Sequence, residues 1–201
     1  MKDDGANASF GILRSPFFVE AGEWAAGRSW IWRAILLLYL GWVGIRHLAD
    51  PLSNSLFGGL TLGIHELGHL ILRPLGNWPG IAGGSLAQIA APIAAGAIFY
   101  RQRDYFGIAV AGAWLAFSLW GLATYIGDAR AQELPLLALG PDPIHDWNWM
   151  LGKLGLLGWD KGLAFLTRAT AFVDWLASMA FGGWLVWSMR AKRSEPLDQG
   201  S

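Results

Sequence analysis

The chain has 201 residues, of which 54% are hydrophobic and only 15% charged, with 13 Trp, 27 Gly and no Cys. A soluble domain carries about 25% charged residues, so scarce charges gathered between long uncharged runs exclude a soluble core and indicate one polytopic membrane domain. Zero net charge gives no footing for nucleic acid, and without Cys any bound metal must be held by His, Asp or Glu.

Residues 1–28 read as an N-terminal polar and interfacial arm. Met1-Lys2-Asp3-Asp4 lacks the basic start of a secretory signal, so no cleaved leader is expected. Phe10–Ala26 mixes Phe17, Phe18 and Trp24 with Arg14, Glu20 and Glu23. It is too short and too charged to span, and reads either as an interfacial helix starting near Pro16 or as a solvated arm. Trp30–Leu48 is the first expected span, with Trp30, Trp32 and Arg33 at one headgroup level and Arg46 and His47 at the other. His47 is expected at the opposite end of the membrane from the motif described next.

Leu52–Leu72 is the second span and contains His65-Glu66-Leu67-Gly68-His69, an H-E-x-x-H pattern. On a helix the two histidines lie about 40° apart, one turn from each other, where both can bind one Zn²⁺. Glu66 lies roughly 100° round from His65, placed to take a proton from a water at the metal rather than to bind it. Such groups in an apolar helix are costly unless compensated.

Ile81–Tyr100 is the third span and carries Gln88 at a depth similar to His65. Gln88 either lines the site or makes an interhelical hydrogen bond. Tyr105–Ile126 is the fourth span, ending at Asp128. Residues 127–161 form a long loop or re-entrant segment over the site, with a short interfacial helix after Trp147. Gly162–Met189 is the fifth span, where Asp174 is read mainly as a structural partner of Arg168 or another helix. The expected fold is therefore all-α, a membrane bundle of about five transmembrane helices, with residues 29–190 as the metalloenzyme domain and 191–201 as a polar tail.

Five spans put the termini on opposite sides. Arg46, Arg101, Arg103, Arg190, Lys192 and Arg193 then share one side, cytoplasmic by the positive-inside rule together with the C-terminus. The motif would lie nearer the extracytoplasmic face of a bacterial-type inner membrane. A catalytic zinc needs a third protein ligand. Asp128 is the leading candidate and His145 the alternative, followed by Asp146 or Glu133; Asp146 could also orient a ligating histidine.

The motif at His65–His69, and more loosely the stretch Gly83–Pro92, resemble the site-2-protease family of intramembrane zinc metalloproteases. That family takes its third ligand from an aspartate in an L-D-G or Asn-Pro-Asp-Gly motif of a later membrane helix. This chain has neither, and Gly127-Asp128-Ala129 is its nearest equivalent. The resemblance implies peptide-bond hydrolysis with Zn²⁺ as cofactor, Glu66 as general base, and a single-span membrane protein or peptide as substrate. The alternatives are a zinc hydrolase acting on a lipid or small amphiphile, and a non-enzymatic metal-binding membrane protein.

Overall fold

The computed structural model describes residues 15–53, 55–135 and 144–193. Among these there are seven α-helices and no strand: α1 Pro16–Ala25, α2 Ile31–Ala49, α3 Leu56–Leu72, α4 Asn77–Arg101, α5 Tyr105–Gly127, α6 Asp146–Lys153 and α7 Asp160–Arg193. Their ends follow local chemistry. Pro16 opens α1 at a position where its missing N–H costs nothing. The Ser55 hydroxyl accepts from Gly58 N at the start of α3, and Asp104 accepts from Gly107 N at the start of α5. The expected interfacial helices at Pro16 and after Trp147 correspond to α1 and α6.

The core lies where α2, α5 and α7 meet. Leu40, Val43, Ala113, Ala116, Phe117, Trp120, Ala171 and Trp175 form one buried cluster. Gly44 is what admits Trp175, because a Cβ there would collide with the indole ring. A second cluster joins Ala21 and Ala25 of α1 to Tyr105, Phe106, Leu185 and Met189.

Among the described residues, four segments are long and apolar enough to cross a membrane: α2, α4, α5 and Leu157–Ala191, which covers all but the last two residues of α7. The motif helix α3 is not among them. It has 17 residues, about 26 Å, against a hydrocarbon layer of about 30 Å.

Helix directions explain the difference from the expected five. Trp32 packs on Phe106, while His47 stacks on Phe117 and Trp120 and Pro51 O accepts from Thr124 Oγ1. So α2 runs parallel to α5. Phe57 then packs on Trp114 and Phe117, Thr61 hydrogen-bonds Trp114 and Ser118, and the His65 ring lies 6.0 Å from Tyr125. So α3 also runs parallel to α5, beginning about half way along it. The chain does not reverse between two full spans. Pro51 lies level with Thr124 and Phe57 with Phe117, so the chain steps back before it rises again as α3.

Both ends of the helical assembly follow from this. Arg190 lies over the Trp30 ring and Arg103 pairs with Glu20 at 2.9 Å. The starts of α1, α2 and α5 therefore share one end with the end of α7, so the first and last described residues lie together rather than opposite. Arg46 is at the other end, away from Arg101 and Arg103.

Candidate metal centre

The centre is built where α3 and α4 touch backbone to backbone. A Cβ on Gly68 would collide with Gly83 O, and one on Gly83 with Gly68 O. This close approach turns the shared face of His65 and His69 directly onto α4.

Each imidazole is then fixed through its Nδ1. His65 Nδ1 meets Gln88 Oε1 at 2.8 Å, and His69 Nδ1 meets the Gly80 carbonyl at 2.8 Å. Gln88 is itself oriented, since its Nε2 donates to Ser118 O at 3.3 Å. Both partners of the histidines are acceptors, so both Nδ1 atoms carry the proton. That leaves two Nε2 lone pairs aimed at the same point, 3.0 Å apart.

Asp146 Oδ2 completes the group at 3.2 Å from each Nε2. The two Nε2 atoms and the Asp146 carboxylate converge on one point that is satisfied either by a proton shared between imidazole and carboxylate or by a metal ion lying between all three. Ligands at 2.0–2.1 Å from a tetrahedral zinc are about 3.3 Å apart, close to the 3.0 to 3.2 Å found here. Among the described residues, His65, His69 and Asp146 are the group of three able to hold a metal ion. Gly84 keeps the space clear: a Cβ there would lie 2.5 Å from both Nε2 atoms. An Nδ1–H donated to a carbonyl or amide oxygen is the usual support of a ligating histidine. Donor chemistry, spacing and support all fit zinc.

Asp146 is buried at the start of α6, and its N–H donates to Tyr125 Oη at 3.0 Å. Burial pushes its carboxyl upward, but the hydrogen bonds to His65 and His69 outweigh that and hold it below the ordinary carboxylate value. It is therefore an anion at neutral pH, as a metal ligand must be.

The expected third ligands are elsewhere. Asp128 accepts from Glu133 N at 2.9 Å and Leu134 N at 3.1 Å, one on each carboxylate oxygen. The amides of its own following turn claim it, and it does not join the histidines. Arg130, two residues further on, pairs with Asp160 at 2.8 Å and not with Asp128. His145 caps α6, its Nδ1 accepting from Asn148 N at 3.2 Å, with Nε2 3.4 Å from Asp128 Oδ2. Burial keeps its imidazole below the ordinary histidine range, so it is neutral at pH 7. Asp146, the weaker third-ligand candidate and also expected to orient a histidine, is the carboxylate that meets His65 and His69.

Gln88 hydrogen-bonds His65 and α5 and also lines the cavity beside the centre, so both expected roles meet in it. Replacing it by Leu removes the acceptor of the His65 Nδ1 proton. Zinc affinity is expected to fall about 10–100-fold, the usual cost of losing such a support, measured by chelator competition.

Glu66 lies outside the ligand triangle, half-buried, and lines a cavity of about 500 Å³. This cavity is bounded by the end of α2, by Pro51, Ser53 and Ser55, and by α3 and α5, with Leu134 and Pro135 also on its wall. His47 lines it too, so it shares one cavity with His65 instead of lying across the membrane. The reason is again the parallel course of α2 and α3. Asp174 makes no ion pair with Arg168 among the described residues, and its Oδ2 is buried without a hydrogen-bond partner. Tyr125, Ser118 and Gly84 are the site residues that sequence reasoning missed. Nothing local marks them, since each matters only through a contact from another helix.

No family model, no curated protein and no solved structure matches the chain.

Proposed function

We propose that the chain is a membrane-embedded zinc hydrolase that cuts peptide bonds in or near the membrane. The observation that carries this reading is the convergence of His65 Nε2, His69 Nε2 and Asp146 Oδ2 on one point, 3.0 to 3.2 Å apart, beside a cavity lined by Glu66. His65, His69 and Asp146 hold the ion, and Asp146 takes the third-ligand role that the site-2-protease resemblance gives to an aspartate. Zinc supplies a Lewis acid that brings the pKa of a water near 7. Glu66 receives the proton that the attacking water loses and returns it to the leaving amine nitrogen as the C–N bond breaks. Gln88 and Gly80 keep both imidazoles in the tautomer that presents Nε2.

The basic end, with Arg28, Arg33, Arg101, Arg103 and Arg190, is read as cytoplasmic. Both ends of the described helices then lie on that side of a bacterial-type inner membrane, and the centre lies nearer the extracytoplasmic face.

One observation favours a second reading. A single helical turn, about 10–12 Å across and 5.4 Å long, is about as large as the 500 Å³ cavity. The cavity therefore takes a short unwound stretch of peptide or the chain of a small amphiphile, not an intact helix. Detergent-purified protein incubated with single-span peptides and, separately, with phospholipids tests the choice. Chelator-sensitive cleavage of the peptides alone is expected. Turnover of lipid alone would replace the peptidase reading with the second one.

A further inference from the structure

The third ligand reaches the histidines from outside the helix pair that holds them. A zinc ligand works only within a few tenths of an ångström, so whatever places Asp146 helps set the affinity. Its backbone N–H is taken by Tyr125 Oη at 3.0 Å. The preceding residue, His145, lies with its ring 4.3 Å from that of Tyr125, caps α6 through Nδ1, and turns Nε2 toward Asp128 Oδ2 at 3.4 Å. Asp128 is in turn fixed by the amides of Glu133 and Leu134. Asn148 Nδ2 ties the first turn of α6 to Ala129 O at 2.8 Å, and Trp147 Nε1 ties it to Ser85 Oγ at 3.1 Å on α4. Asp128 and His145 are both buried, at 8% and 3% exposure. A carboxylate and an imidazole buried together without touching substrate or metal are costly to keep unless they hold something in place.

We propose that Asp128 and His145 are positioning residues that set the metal affinity of the centre by fixing Asp146. The aspartate that ends α5 acts on the metal through His145, one residue before the ligand, and not by binding it. This rests on the reading of His65, His69 and Asp146 as the ligands.

The test compares wild type with Asp128→Ala, Asp128→Asn, His145→Ala and Asp146→Ala in the full-length protein. Three readouts are used: zinc affinity by chelator competition, the visible absorption of bound Co²⁺, and the melting temperature of the metal-free protein. Asp146→Ala is expected to lose tight binding. Asp128→Ala and His145→Ala are expected to bind zinc about 10–100-fold more weakly than wild type, with the Co²⁺ spectrum shifted toward that of Asp146→Ala. Asp128→Asn has one acceptor oxygen where the carboxylate has two, so it cannot serve the Glu133 amide on one side and Leu134 with His145 on the other, and is expected to fold and still bind weakly. Wild-type affinity and an unchanged Co²⁺ spectrum in Asp128→Asn and His145→Ala would overturn the proposal. A lowered melting temperature with unchanged affinity would assign both residues to folding alone and overturn it equally. Wild-type affinity in Asp146→Ala would instead overturn the ligand reading beneath it.

Discussion

Glu66→Gln is expected to keep zinc at wild-type occupancy and to lower peptide turnover by about 10²–10⁴-fold, the usual contribution of a positioned general base. The change is nearly isosteric, and Glu66 is not one of the three ligands. It sits on the adjoining face of α3, half-buried, on the wall of the cavity where a substrate would lie. Glutamine keeps the shape and loses only the ability to take up a proton. Metal analysis and peptide cleavage on the same preparation read the two effects separately. Zinc retained with turnover intact would remove Glu66 from the chemistry. Zinc lost would make it a ligand after all.

Gly84→Ala is expected to destroy the centre while adding a single methyl group. The new Cβ would lie 2.5 Å from both Nε2 atoms, well inside van der Waals contact. Neither imidazole can swing away cheaply, because each is held through Nδ1 at 2.8 Å by Gln88 or Gly80. The helices cannot separate cheaply either, because Gly68 and Gly83 already meet backbone to backbone. Zinc affinity should fall by more than the roughly 100-fold that marks the upper end for a lost support. Gly63→Ala is the control: its Cβ would meet nothing within 4 Å, and alanine favours a helix over glycine by about 1 kcal/mol. It should bind zinc as wild type does. Full zinc occupancy in Gly84→Ala would mean that the metal does not sit between these histidines.

Glu66 and the two histidines that Gly84 faces are the part of the centre that local sequence makes legible. His65 and His69 are one turn apart because a helix has 3.6 residues per turn, and the apolar run around them makes that helix readable. Other parts depend on contacts that no local pattern contains. Asp128 directly follows an uncharged helix and was the natural third ligand, yet the amides of Glu133 and Leu134 reach it first. Asp146 takes the place because His145 and Tyr125 turn the start of α6 toward the histidines. Hydropathy locates apolar runs but not their direction. It therefore gives no sign that α3 steps back to start beside the middle of α5 and rises parallel to α2, or that the starts of α1 and α2 share an end with the end of α7. The same step places His47 in the cavity with His65. Ser53 and Ser55, polar residues between two apolar runs, are the local trace of it.

X-ray absorption at the zinc K-edge of the purified protein tests the central claim most directly. One zinc per chain is expected, with two imidazole nitrogens and one carboxylate oxygen at about 2.0–2.2 Å and a fourth oxygen from water. Protein loaded with zinc yet showing no bound ion, or an ion with no imidazole in its shell, would contradict a metal centre on His65, His69 and Asp146.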